Sequence, residues 1–256
     1  MGSKVSIDRL RVIIGCHLRN ITSYILFLSI AFGKSKPLAV SHKSALIFSP
    51  HQDDETLGCG GAIALKRQMG VPVKVIFLTD GRYGIPHLIG QSEEIAKIRA
   101  AESVAALSTL GVPESDIHFL NLKDGDLAIL SDEQRQQVID KLVWLLQDFI
   151  PEEVYVPHHR DFHDDHEATY KLVQSAIAQA GMKVDLWQYP IWLLWQNPLS
   201  IELKSKDIAG AYRLAINSVQ AQKHQAIEAY KSQIPGLTRG FLKRFFSPYE
   251  LFFRNE

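Results

Sequence analysis

Cysteine is scarce in this chain of 256 residues, and neither sign of charge is in excess. The two cysteines, Cys16 and Cys59, define no disulfide framework, which favours a reducing compartment and predicts a cytoplasmic protein. Basic and acidic residues both number 28, so we predict no nucleic-acid partner held by bulk positive charge. Neither Gly-x-x-x-x-Gly-Lys-Ser/Thr nor Gly-x-Ser-x-Gly occurs, which argues against a P-loop ATPase and a serine-hydrolase elbow.

A strongly apolar run lies near the N-terminus, at residues 21–32. Arg19 precedes it and Lys34 follows it, but its twelve residues fall short of the roughly 20 that span a bilayer. An interfacial or docking helix is the favoured interpretation, and a signal or anchor segment and a plain core segment are the alternatives. Residues 1–36 are therefore predicted to form an apolar and basic extension with peripheral membrane contact.

Apolar strand patterns alternate with helical patterns along most of the remaining chain. The predicted strands cover residues 44–49, 73–78, 117–120, 153–156 and 184–187. Strands separated by helices of 10–20 residues favour right-handed crossovers, so we predict an α/β, Rossmann-like, mostly parallel sheet flanked by helices. This domain is predicted at residues 37–235, followed by an aromatic and basic tail at 236–256 packed on or near it.

Two polar clusters follow predicted strands and precede predicted helices, at residues 49–61 and 158–167. Taken alone, each cluster could be a capped, solvated turn. In a parallel sheet, however, the carboxyl ends of the strands share one edge, so both clusters should meet in one crevice. Histidine and carboxylate ligands without nearby thiolates suit a catalytic zinc ion, which keeps one position for water.

The glycines of the first cluster raise a rival interpretation. Gly58-Cys59-Gly60 begins like a dinucleotide-binding motif, and Asp80 ends the second strand, where a ribose-binding acid would lie. The third glycine position is Ile63, however, and the neighbouring acidic residues would repel a pyrophosphate. Cys59 could be read as a thiolate ligand or nucleophile, but a small residue packed between helix and strand is the favoured role.

His51-Gln52-Asp53-Asp54-Glu55 resembles the Pro-His-Pro-Asp-Asp-Glu signature of the PIG-L/LmbE-like deacetylases. His163-Asp164-Asp165-His166 resembles the second signature of that family, His-x-Asp-His, and residues 223–233 resemble a later Lys…Ala…Ser-Gln segment. The resemblance covers about residues 43–235. Gln52 departs from the usual proline, at a position that supplies no ligand.

The resemblance implies an LmbE-like fold and a hydrolase that removes an acetyl group from an N-acetylated amino-sugar conjugate, with Zn²⁺ or another divalent metal. It implies three metal ligands, His51, Asp54 and His166. Asp53 would be the general base, His163 would stabilise the oxyanion, and Asp165 would orient a histidine. Glu55 is expected to be structural.

Substrate contacts are predicted from position alone. Asp80, Arg82 and Asp124 follow strands on the same sheet edge and could contact sugar hydroxyl groups, although each could equally be a turn residue. Two other functions stay open: a zinc amidase acting on a non-sugar amide, and a non-catalytic binding protein on this fold. A homo-oligomer is also compatible with the sequence.

Overall fold

A computed structural model describes residues 2–84 and 92–254, with side chains from residue 14 onwards. The strands are β1 (Lys36–Leu38), β2 (Ala45–Ser49), β3 (Val73–Thr79), β4 (Ile117–Leu122), β5 (Glu153–Pro157), β6 (Asp185–Tyr189), β7 (Ala211–Ala215) and β8 (Tyr249–Phe253). The helices are α1 (Gly2–Gly33), α2 (Asp54–Gln68), α3 (Ser92–Thr109), α4 (Asp132–Phe149), α5 (Asp164–Ala180), α6 (Gln220–Glu228) and α7 (Arg239–Leu242).

The strands form one eight-stranded sheet in the order β1-β7-β8-β6-β5-β2-β3-β4. All pairings are parallel except those of β8, which lies antiparallel between β6 and β7. In the centre of the sheet, Ile47 of β2 is in register with Val75 of β3 on one side and Tyr155 of β5 on the other. The predicted α/β class with a mostly parallel sheet is confirmed.

The core has two main layers, because neighbouring residues of each central strand face opposite sides of the sheet. Ile47 packs in the layer that contains residues of α2, α3 and α6. Phe48 packs in the layer that contains residues of α4 and α5. Every residue of β2 is buried, as expected of a central strand covered on both faces.

The order in which strands are added to the sheet changes direction between β2 and β5. From β2 the chain proceeds to β3 and β4 on one side, whereas β5 and β6 lie on the other. Open α/β sheets bind their ligands at such a point, beyond the carboxyl ends of the strands. Both polar clusters lie there, since residues 50–53 follow β2 and residues 158–163 follow β5.

Two features differ from the sequence-based expectation. Helix α2 begins at Asp54 and not near residue 60, because the glycines at 58, 60 and 61 weaken helix propensity but do not break the helix. Strands β7 and β8 were not predicted, and β8 places Tyr249–Phe253 inside the sheet. The domain boundaries at residues 36 and 235 stay a prediction.

Helix α1 packs one face against the rest of the protein. Phe27, Ile30 and Ala31 are buried with Leu193 and Leu251 in a third apolar cluster. Within residues 2–84 and 92–254, no helix combines the length and the apolar character needed to cross a bilayer.

Glycine at position 58 lets α2 approach β6 closely. A Cβ atom there would lie 2.4 Å from a ring carbon of Tyr189. That ring cannot easily yield, because Tyr189 is fully buried and its hydroxyl donates to the Phe48 carbonyl at 2.8 Å. Glycine at position 58 therefore serves helix–sheet packing.

We expect Gly58→Ala to lower the free energy of unfolding by about 1–3 kcal/mol, because the added methyl group overpacks a rigid site. Gly15→Ala in α1 is the matched control, since a Cβ at Gly15 has no neighbour within 4 Å. Alanine should leave stability there unchanged or raise it by up to about 1 kcal/mol. Urea denaturation followed by circular dichroism measures both, and equal stabilities for the two variants would contradict the packing argument.

Candidate metal centre and active-site cleft

Three potential ligand atoms form a compact triangle at the carboxyl edge of the sheet. His51 Nδ1 and His166 Nε2 lie 3.1 and 3.2 Å from Asp54 Oδ2, and the two nitrogens are 3.3 Å apart. Ligands bonded at about 2.0–2.1 Å in a tetrahedral zinc site are separated by about 3.3 Å. The triangle therefore has the dimensions of one face of such a site, so these residues fit a divalent metal.

The backbone brings the three ligands together from two loops. His51 lies in the turn after β2, and Asp54 is the first residue of α2. His166 lies in the first turn of α5, which follows β5. Because β2 and β5 are paired and parallel, their following turns lie side by side.

A carboxylate contacts the outer nitrogen of each histidine. Asp161 Oδ2 lies 2.8 Å from His166 Nδ1. Asp165 Oδ2 and Asp124 Oδ1 both lie 3.2 Å from His51 Nε2. Such contacts keep the outer nitrogen protonated and leave the inner nitrogen free to bind a metal. Donor atoms of His51, Asp124 and Asp165 also lie close enough for a metal, but this role for the two carboxylates explains that cluster equally well.

Backbone N–H groups hold these carboxylates in place. Asp161 accepts hydrogen bonds from Ile191, Trp192 and Leu193, between 2.9 and 3.2 Å. Asp165 accepts from Gly125 at 2.8 Å and Leu127 at 3.1 Å. Hydrogen bonds of this kind favour the ionised carboxylate even in a buried position.

The charges of the site favour a cation between the ligands. Burial opposes a charge on His51, but its hydrogen bonds to carboxylates raise the pKa of the ring well above its ordinary value. Likewise, Asp54 and Asp161 overcome burial and raise the pKa of His166 to about 9. Despite burial, His166 and His51 lower the pKa of Asp54. The surrounding carboxylates would stabilise a bound metal ion as they stabilise these protons.

Asp53 precedes the predicted ligand Asp54, and its side chain contacts Arg99. Its φ of 141° is a strained conformation for a residue with a side chain, worth about 1–3 kcal/mol, and such strain is concentrated at functional sites. Its Oδ1 lies 3.3 Å from Nη2 of Arg99, and its N–H donates to Glu55 at 3.1 Å. Burial raises the pKa of Asp53 to about 7, while Arg99 acts in the opposite direction.

Glu55 fixes the backbone at this point. Besides the N–H of Asp53, its carboxylate accepts hydrogen bonds from the hydroxyls of Thr56 and Tyr230. Burial raises the pKa of Glu55 to about 7. The Glu55 side chain is fully buried, and its contact with the Asp53 N–H holds the backbone of Asp53 in position.

His163 lies at the edge of the triangle, with ring centroids 5.0 Å from His51 and 4.6 Å from His166. Its Nδ1 is buried and has no hydrogen-bond partner within the described part of the chain. Burial, together with His166 and His51, lowers the pKa of His163 to about 4. The neutral ring is therefore favoured here, and it can donate through one N–H only.

An open cleft of about 400 Å³ reaches the ligand triangle. Its polar lining comes from the histidine and aspartate turns and from Arg99 and Gln233. Its apolar wall is formed by Ile191, Trp192, Leu237 and Phe241. A cleft of this size and mixed character suits a small-molecule ligand.

The three residues predicted to contact substrate divide into two groups. Asp124 lines the cleft, accepts the N–H of Tyr83 at 3.0 Å and contacts His51. Asp80 instead accepts a hydrogen bond from Arg82 Nε at 2.7 Å, and neither Asp80 nor Arg82 lines the cleft. Their substrate roles, like the catalytic and ligand roles of the other predicted residues, stay predictions.

The structure also identifies residues that the sequence interpretation left without a role. Asp161 lies inside the second polar cluster, and the histidine-rich and aspartate-rich composition of that cluster was the signal for its role. Arg99 occupies the buried face of α3, whereas the neighbouring Ile98 is exposed. A charged residue on the apolar stripe of a helix was the signal for it. Cys59 is fully buried in the apolar core, and burial raises the pKa of its thiol, which supports a packing role.

Comparison with known proteins agrees with the family resemblance of the two signatures. The chain matches the PIG-L family model, described as GlcNAc-PI de-N-acetylase, over residues 46–177, just over half of its length. It is 30% identical over 184 residues to 1D-myo-inositol 2-acetamido-2-deoxy-alpha-D-glucopyranoside deacetylase of Mycobacterium sp. (strain KMS), across 62% of this chain and 57% of that relative. It is 26% identical to a probable N-acetyl-alpha-D-glucosaminyl L-malate deacetylase 2 of Bacillus subtilis (strain 168), across 76% and 85%.

Solved structures show the same fold. The N,N'-diacetylchitobiose deacetylase from Pyrococcus horikoshii superposes with a TM-score of 0.59 and 24% identity, across 78% of this chain and 73% of that one. The 4-carboxy-2-hydroxymuconate hydratase from Pseudomonas putida KT2440 superposes with a TM-score of 0.60 and 24% identity, across 79% and 82%. At this identity the likeness establishes the fold, and the fold alone does not select one reaction.

We expect Asp161→Asn to weaken divalent-metal binding about 10- to 100-fold, because the amide keeps the shape but loses the charge that orients His166. Asp207→Asn is the matched control. Asp207 is also buried and accepts a backbone N–H, from Lys204 at 2.8 Å, but it contacts neither ligand histidine in the described part of the chain. Zinc titration by calorimetry measures both affinities. Equal affinities in the two variants would show that Asp161 does not orient a ligand.

Proposed function

The chain belongs to the PIG-L family of de-N-acetylases, as its two signatures predicted, and on that premise we propose that it is a metal-dependent hydrolase. Its reaction is the removal of an acetyl group from an N-acetylated amino-sugar conjugate. The mycobacterial relative is matched over only 57% of its length, so substrate and activity are inferred for this chain and not transferred from that protein.

The observation that carries the proposal is the arrangement of the first cluster around the ligand triangle. His51, Asp54 and His166 converge to within 3.3 Å, whereas Asp53 contacts Arg99 and lines the same cleft. A metal site with a separate carboxylate beside it can activate a water for amide hydrolysis. Zinc is the proposed native metal, since two imidazoles and one carboxylate suit it, and another divalent ion could replace it.

A bound divalent ion supplies the Lewis acidity that lowers the pKa of water and polarises the substrate carbonyl. Asp53 accepts the proton of the attacking water, and the backbone contact with Glu55 and the guanidinium of Arg99 keep its carboxylate in position. The N–H of His163 donates a hydrogen bond to the carbonyl oxygen as negative charge develops on it. The water oxygen bonds to the carbonyl carbon, and the C–N bond then breaks as Asp53 returns the proton to the departing amine. The products are acetate and the free amino sugar.

Amino-sugar conjugates are favoured over other amides by the curated relatives, whose names specify N-acetylglucosaminyl substrates. The cleft is compatible with such a ligand, since polar side chains such as Asp124 face an aromatic wall that includes Trp192. Sugar rings present hydroxyl groups at their edges and C–H groups on their faces, so they suit this combination. Asp80 and Arg82 would affect substrate binding indirectly, by holding the loop that places Tyr83 in the cleft.

Loss of one acetyl group from a panel of N-acetylated amino-sugar conjugates, followed by mass spectrometry, tests the reaction. Acylated peptides in the same panel test an amidase that acts on other amides. Retained zinc without hydrolysis of any member would favour a binding protein. Addition of water to an unsaturated acid, without deacetylation, would favour a hydratase of the kind that shares this fold.

We expect Asp53→Asn to lower kcat for deacetylation about 10²- to 10⁴-fold while the zinc content stays stoichiometric, because the amide cannot accept a proton. Asp164→Asn is the control, because Asp164 is an exposed carboxylate of the second cluster that does not line the cleft. It should keep full activity. Loss of zinc in the Asp53 variant would mean that Asp53 is a ligand, and full turnover would mean that another group is the base.

A further inference from the structure

Helix α1 presents an apolar stripe to the outside of the molecule. Its members are spaced alternately four and three residues apart and are each 36–61% exposed: Ile14, Leu18, Ile21, Ile25, Leu28 and Phe32. The stripe runs about 27 Å along the helix. The opposite face already packs on the protein, so α1 has one apolar face covered and a second one open. A continuous apolar face of this kind marks an interaction site.

The charges around the stripe are of one sign. Between Asp8 and Asp53 the chain has six lysines and arginines and no acidic residue. A second acid-free stretch, residues 229–249, contains four more basic residues. This imbalance is local, because basic and acidic residues are equal in number over the whole chain.

The fold brings the two acid-free stretches together. Helix α7 lies beside α1, where the Thr238 hydroxyl donates to Asn20 Oδ1 at 2.8 Å. Lys243 Nζ lies 4.1 Å from the centre of the Tyr24 ring. Arg19 on α1 and Lys243 just after α7 are both exposed. The result is a face, here called the α1/α7 face, with an apolar stripe and basic flanks.

We propose that the α1/α7 face docks onto a bilayer that contains anionic lipids. The apolar stripe would enter the boundary between headgroups and acyl chains, and the basic flanks would contact anionic headgroups. The proposal is independent of the reaction. It also has a geometric consequence, because Phe241 of α7 lines the cleft and the docked face therefore adjoins the cleft wall.

A second copy of the chain is the competing occupant, since spacing of four and three residues also occurs in coiled-coil seams. The charges favour the bilayer. Two copies facing each other along α1 would bring basic flanks towards basic flanks, with no acidic residue on either helix from residue 9 onwards to compensate. Anionic headgroups supply that compensation.

Vesicle flotation with the full-length protein tests the proposal. The vesicles contain phosphatidylcholine alone or phosphatidylcholine with phosphatidylserine. The test variant is Ile21→Glu/Ile25→Glu, and the control is Trp144→Glu on α4. Trp144 is 60% exposed and Ile25 is 59% exposed, so neither change should disturb the core.

We expect wild-type protein to float with the phosphatidylserine vesicles, less with phosphatidylcholine alone, and less at high salt. The double variant should lose about tenfold or more of its bound fraction, whereas Trp144→Glu should bind like wild type. Absence of wild-type binding, or equal binding of the double variant, would overturn the proposal. So would a wild-type dimer in analytical ultracentrifugation that the double variant dissociates, because the stripe would then be covered by a second copy. Turnover of a soluble acetylated substrate, if the protein has it, should be equal in all three proteins.

Discussion

Buried carboxylates held by backbone N–H groups are the constraint on which the candidate site depends. Asp161 is fixed by three N–H groups that follow β6, and Asp165 by two that follow β4. An ionised carboxylate is costly to bury unless hydrogen bonds compensate it. Asp161 therefore orients His166 only when the loops after β5 and β6 are in place, and Asp165 orients His51 only when the loop after β4 is in place. The site is a property of the whole sheet edge and not of one turn.

The C-terminal part of the chain holds helix α2, which carries part of the same site. Lys223 and Glu250 form a buried pair at 2.7 Å. Glu250 also accepts the N–H groups of Gly61 and Ala62, and Lys223 donates to the Leu57 carbonyl. These contacts tie α6 and β8 to α2, whose first residue is a predicted metal ligand. Removing one partner would leave the other charge buried without compensation, so this pair makes the C-terminal segment and α2 interdependent.

Fold and chemistry are separable in this protein. Proteins that superpose on the chain include both a deacetylase and a hydratase, so the sheet and its helices do not select a reaction. Under the proposed function, the selection would lie in a few side chains: the triangle of His51, Asp54 and His166, the neighbouring Asp53, and His163 in the cleft wall. The backbone at Asp53 is strained, with a φ of 141°, and such strain is concentrated at functional sites.

The sequence by itself determined the α/β class, the central parallel strands and the meeting of the two polar clusters. Those features follow from local hydrophobic pattern and from the rule that parallel strands share one carboxyl edge. Only the tertiary structure decided that Asp161 and Asp124 also contact the histidines, because these contacts depend on loops that are distant in sequence. It alone also placed Arg99 beside Asp53 and β8 inside the sheet, since both depend on contacts between residues more than 30 positions apart. The polar cluster at residues 49–61 could be recognised from its residues, but the positions of its side chains are set by loops elsewhere in the chain.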